Sequence, residues 1–146
     1  MSPEHPGAQP HEFLELVRTR EQVALAALAH TTGDTSLCAL ARAGTPHPAA
    51  TLHEGAVSAL ADVRRSITRQ PDTRPSNAVA AAGARWEDNA ALAERGRDWA
   101  AYYAGGVEAL DLLAGTVSAS GGVPTIRRTV SRSVRSDDAP SRRGSN

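Results

Sequence analysis

Alanine is the commonest residue of this 146-residue chain, and aromatic residues make up only 3% of it. Alanine favours helices and lets them approach closely, but each buried alanine removes little apolar surface from water. The alternation of apolar and polar residues that is typical of a strand does not extend over a convincing length before the last part of the chain. We therefore expect an all-α protein whose modest core would gain stability from self-association.

Apolar residues at helical spacing predict a small antiparallel bundle of three to four helices plus a short extra helix. The first helix covers residues 11–30 and stops at Gly33. The short helix follows, with Asp34 or Thr35 as its cap and Gly44 at its end.

The clearest helix carries an apolar stripe from Leu52 to Ile67 and has Pro48 in its first turn. On its polar side Asp62 is placed to pair with Arg65, three residues later. Ser76 is the predicted cap of the next helix.

A long helical segment covers residues 77–119. In one straight helix Trp86 would point away from Trp99, so the segment is either buried on two faces or interrupted. We favour a break at Gly105-Gly106 over one at Gly96.

Arginine supplies every basic charge, and it divides the chain into two parts. The first 125 residues carry a net charge of −4, and residues 126–146 carry +4. The basic segment 126–146 offers little apolar surface to offset the cost of ordering its backbone. We therefore predict a flexible arm at residues 1–10, a helical domain at 11–122 and a disordered basic tail at 123–146.

The tail is a candidate electrostatic site because guanidinium groups bind phosphates in a salt-sensitive manner. Within it Ile126, Val130 and Val134 are spaced four apart, so an acidic surface could induce a short amphipathic helix. Nonspecific nucleic acid or an anionic membrane surface is the candidate partner of this tail, and the alternative is a tail that only increases solubility. Its arginines are Arg127, Arg128, Arg132, Arg135, Arg142 and Arg143.

Trp99, Tyr102 and Tyr103 lie at positions i, i+3 and i+4, on one side of a helix. Tryptophan and tyrosine are enriched in the energetically dominant positions of protein interfaces. These three residues are the candidate site for a protein partner or for self-association. The alternative is that they form the densest part of the core.

Catalytic, metal and cofactor motifs are not found. His53-Glu54 begins like a zinc-protease helix, but Val57 stands where the second histidine is required. The chain has no lysine and so lacks the usual phosphate-binding loop. Cys38, the single cysteine, lies between leucines, where a buried thiol acts as a small apolar group. We assign no catalytic, metal-binding or cofactor-binding residue, and an enzyme that uses Cys38 or a histidine is the least favoured alternative.

A small helical regulator that binds DNA specifically is a second alternative. The short helix and the Leu52–Ile67 helix could form a helix-turn-helix motif, although His53 and Glu54 stand where residues that recognise bases are usual. The first residues carry no secretory signal, and no apolar run is long enough to span a bilayer. The expected location is therefore cytoplasmic.

The chain is small, rich in alanine and arginine, without lysine, and polar with arginine and serine at its end. In this size and composition it resembles the spread accessory proteins of actinomycete conjugative plasmids. The resemblance implies an accessory role in plasmid spread or in the DNA transfer of a mobile element. Our leading hypothesis is a non-enzymatic helical interaction protein, with the basic tail as an electrostatic tether.

Overall fold

The computed structural model describes residues 10–33, 35–44, 46–92 and 97–120. These residues form helices and connecting turns, without a strand among them. The helices are α1 (Pro10–Thr32), α2 (Leu37–Arg42), α3 (Pro48–Arg69), α4 (Pro75–Leu92) and α5 (Arg97–Ser120). The all-α prediction is confirmed, with four long helices and one short helix. The predicted tail and the first nine residues of the predicted arm lie outside the described residues.

None of the described helices is both long and apolar enough to cross a membrane. α3 has its largest interface with α5 and also packs against α1, while α4 packs mainly against α5. α3 and α5 therefore form the centre of the bundle, with α1 against α3 and α4 mainly against α5.

Two glycines end helices as predicted. Gly33 follows α1 with φ of 59°, and Gly44 follows α2 with φ of 66°, a backbone region that other residues avoid. The cap of α2 is Ser36 rather than either predicted residue, because the Ser36 hydroxyl accepts a hydrogen bond from the Ala39 amide at 3.2 Å. The short helix is thus correctly located, and its first turn begins slightly later than expected.

Proline starts both α3 and α4. Pro48 is the first residue of α3, as predicted, and Pro75 begins α4 one residue before the predicted Ser76 cap. A proline is favourable in the first turn because its missing N–H would have no helical partner there. The Arg74 carbonyl accepts hydrogen bonds from the amides of Asn77 and Ala78 and so closes that turn.

The predicted break at Gly105-Gly106 is wrong. Both glycines are buried inside α5, which continues from Arg97 to Ser120, whereas α4 ends at Leu92. The long segment is therefore two helices that pack against each other.

The core consists of small and medium apolar residues with two large rings. Phe13 and Val17 of α1 are buried, but Leu25 is 39% exposed and Val23 is 63% exposed, so only the first half of α1 contributes fully. The predicted stripe of α3 is buried from Leu60 onward. The members of the main cluster are Phe13, Val17, Ala59, Leu60, Val63, Ile67, Ala78, Val79, Ala82, Trp86, Leu110 and Leu113.

The backbones of α3 and α5 touch where they cross. A Cβ atom on Gly55 would lie 1.8 Å from the Tyr102 carbonyl oxygen, and one on Gly105 would lie 1.9 Å from that of Leu52. These distances leave no room for any side chain. The two glycines therefore allow the closest approach between the helices.

An ion pair joins α1 to α3. Arg64 donates from Nε and Nη2 to the two carboxylate oxygens of Glu21, at 2.8 and 3.1 Å. This hydrogen bonding, followed by the charge of Glu21, raises the pKa of Arg64 above its ordinary value. The pair links the two helices at their partly buried edge.

Candidate functional site

Four aromatic side chains from α4 and α5 form one group, called here the ring cluster: Trp86, Trp99, Tyr102 and Tyr103. The Trp86 ring lies 5.3 Å from that of Tyr102 and 5.7 Å from that of Tyr103. Trp99 lies 5.7 and 6.1 Å from the same two tyrosine rings. The tyrosines thus stand between the two tryptophans, at separations typical of favourable aromatic pairs.

Trp86 anchors the ring cluster in the interior. It is only 6% exposed, and its indole N–H donates to Asp62 Oδ2 at 3.1 Å. Asp62 also accepts a hydrogen bond from Arg65 through its other oxygen, in the predicted pair. Because its polar atom has a partner, the indole is buried without an unsatisfied donor.

Trp99 forms the outer end of the ring cluster and is 45% exposed. Leu92, the last residue of α4, is 80% exposed. The exposed face of the Trp99 indole is called below the Trp99 surface.

The predicted trio is divided between the core and the surface. Tyr102 and Tyr103 are half-buried and pack against the core, while Trp99 reaches solvent. In one straight helix Trp86 would point away from Trp99. It joins the ring cluster because α4 and α5 are separate helices that pack side by side.

A groove of about 350 Å³ lies beside the last turns of α3. Arg65 and Arg69 line it from α3, and Arg85 lines it from α4. Asp62 is the only carboxylate among its described lining residues. This arginine groove was not predicted, since Arg85 is distant in sequence and only the fold brings it near α3.

A second groove, of about 370 Å³, runs between α4 and α5 and is called the α4–α5 groove. Val79, Leu110 and Val117 give it an apolar lining, and Glu87 and Asp111 add negative charge. Its described lining residues include no basic side chain. The two grooves therefore flank α4 with opposite charge.

Cys38 is exposed, whereas its position between leucines in the sequence suggests a buried thiol. It shares a depression of about 290 Å³ with His47, Glu54 and Asp98. One oxygen of Asp98, Oδ1, is buried and has no hydrogen-bond partner among the described residues. Across the described ranges, no three His, Cys, Asp or Glu side chains are grouped so as to hold a metal ion.

The six predicted tail arginines lie outside the described residues. The chain matches no protein-family model, no curated protein and no solved structure.

Proposed function

We propose that this chain is a non-enzymatic helical interaction protein that binds another protein chain through the Trp99 surface. The observation that carries the proposal is the exposure of Trp99, at 45%, while its ring stays in contact with Tyr102 and Tyr103. A large indole that is held in position yet accessible offers apolar area at a low entropic cost.

The composition of the core supports a second copy of this chain as the first partner to test. Half of the twelve residues in the main cluster are alanine or valine, so each contributes little buried area. Large apolar side chains remain exposed on α1, α4 and α5. Burial of the Trp99 surface between two copies would add apolar area that one copy lacks.

Sedimentation velocity over a wide concentration range tests self-association. The wild-type chain should form a dimer with rising concentration, and Trp99→Ala should weaken that dimer at least tenfold. Leu112→Ala is the matched control, since Leu112 is 59% exposed and belongs to the same helix. Far-UV circular dichroism confirms that both variants keep their helices.

A wild-type chain that stays monomeric at every concentration would overturn self-association. Equal weakening by Leu112→Ala would show that exposed apolar area in general, and not the Trp99 surface, drives the dimer.

A second candidate function is electrostatic attachment to nucleic acid, in line with the resemblance to plasmid spread proteins. The arginine groove supports it, because three guanidinium groups from two helices face one depression with a single carboxylate. Guanidinium groups contact phosphates directly and release counterions on binding. The basic tail would add to this attachment.

Fluorescence anisotropy of labelled double-stranded DNA in a salt series tests the second candidate. Arg69→Ser with Arg85→Ser should lower the affinity and reduce the salt slope by about two. Arg18→Ser with Arg42→Ser is the control of equal charge. The same loss of affinity in the control would exclude a special role of the arginine groove. Binding to anionic vesicles and not to DNA would indicate that the basic residues attach the protein to membranes.

A further inference from the structure

The α4–α5 groove presents an apolar floor with acidic side chains, and among the described residues only α4 and α5 line it. We propose that residues 126–135 of the same chain bind in this groove. The inference goes beyond the proposed function and does not depend on what the Trp99 surface binds.

The chemistry of the two surfaces is complementary. In a helix, the spacing of Ile126, Val130 and Val134 would place their side chains on one face. That face matches an apolar lining that includes Leu110 and Val117.

The charges are complementary as well. Residues 126–135 contain four arginines and no acidic residue. Glu87 and Asp111 are exposed at the groove, and no basic side chain is among its described lining residues. Ion pairs at such exposed positions are individually weak, so the apolar contacts would supply most of the affinity and the charges the orientation.

The connection is long enough and contains residues that favour reversal. Val117 and Ser118 line one end of the groove, and α5 ends just beyond them at Ser120. Residues 121–125 include Gly121-Gly122 and Pro124, residue types that are frequent in turns. From Ser120 to Ile126 an extended chain reaches about 20 Å, enough to turn back along α5.

The lengths also agree. Ile126 to Val134 would measure about 12 Å as a helix, and Leu110 to Val117 measures about 10 Å along α5. Ala80, Gly83 and Ala84 on the α4 side are small, so an incoming side chain would find space. The segment would therefore cover the groove along its length.

A paramagnetic relaxation experiment on the full chain tests the proposal. Cys38→Ser removes the natural thiol and Ser131→Cys introduces a single site for a nitroxide label. We expect strong broadening of the backbone amide signals of Ala80, Gly83 and Ala114, and little at the start of α1. No broadening at the groove, or equal broadening of all helices, would overturn the proposal.

Three further variants separate binding from folding. Glu87→Arg with Asp111→Arg should abolish the local broadening, while Glu12→Arg with Asp72→Arg, an equal change at exposed positions elsewhere, should leave it intact. Arg127→Ser with Arg128→Ser and Arg132→Ser alters no described residue and should weaken the broadening. Unchanged broadening in the tail variant and in the Glu87/Asp111 variant would contradict charge complementarity.

A mixed sample identifies which copy supplies the segment. Labelled chains without nitrogen-15 are combined with nitrogen-15 chains that carry no nitroxide. Absence of broadening in the mixture supports binding within one chain. Broadening there as strong as in the single-chain sample would overturn it and show exchange of tails between two copies.

Discussion

α5 contacts its two main neighbours in opposite ways. Toward α3, Gly105 and its counterpart Gly55 have no room for a single added carbon. In the α4–α5 groove, Gly83 has no described atom within 4 Å of where a Cβ would lie. The same residue type therefore closes one interface completely and leaves the other accessible.

The difference follows from what lies between the helices. Backbone contact sets the separation of α3 and α5, whereas the Trp86 ring lies between α4 and Gly106 of α5. Beyond that ring the α4 residues are small, and the space they leave is the α4–α5 groove. In an alanine-rich bundle, one large side chain sets the spacing of an interface that smaller ones cannot fill.

The largest expected effect is at the backbone contact. Gly55→Ala or Gly105→Ala must push α3 and α5 apart, because the obstacle is a carbonyl group and not a flexible side chain. We expect a loss of more than about 3 kcal/mol in the free energy of unfolding. Urea unfolding followed by circular dichroism measures it, and a loss below about 1 kcal/mol would show that the helices are not in backbone contact.

Gly106→Ala should have an intermediate effect. Its new methyl group would meet the Trp86 ring at 2.3 Å, and a ring can shift where a backbone cannot. We expect a loss of about 1–3 kcal/mol. In a double-mutant cycle, Trp86→Phe should reduce that cost by at least about 0.5 kcal/mol. Strict additivity would mean that ring and glycine do not meet.

The α1–α3 interface sharpens the comparison, since an ion pair rather than close contact reinforces it. Arg64→Met should lower the free energy of unfolding by about 1 kcal/mol. Arg18→Met should lower it by less than about 0.5 kcal/mol, because Arg18 and its partner Glu15 are both exposed. The pKa of Arg64 is raised, so its contribution holds below the ordinary arginine pKa and is lost only in strong alkali. Unfolding at neutral and mildly alkaline pH should therefore give the same difference, and a marked change would contradict this assignment.

The smallest expected effect is of opposite sign. Gly115→Ala should raise the free energy of unfolding by about 0.5–1 kcal/mol, because alanine favours the helix and meets no described neighbour. The same urea titration measures this gain. Destabilisation by Gly115→Ala would indicate that another part of the chain lies closer to α5 than described.

Much of the fold could be predicted from local signals. The stops at Gly33 and Gly44, the start at Pro48 and the stripe of α3 depend on residues close in sequence, which the chain itself displays. The Asp62–Arg65 pair is equally local.

The error at Gly105-Gly106 has a different origin. Glycine interrupts an isolated helix, but in a packed helix it also permits a close neighbour, and only knowledge of α3 distinguishes the two cases. The trio around Trp99 was found from spacing within one helix. Trp86 and the arginine groove join residues of different helices, so no pattern within one helix could reveal them.

The backbone contact between α3 and α5 also has a genetic consequence. One nucleotide substitution converts any glycine codon to an alanine codon. At Gly115 the resulting alanine would be neutral or stabilising, whereas at Gly55 and Gly105 it would strongly destabilise the protein. The same nucleotide change therefore has opposite consequences for stability, depending on whether the glycine lies at the backbone contact.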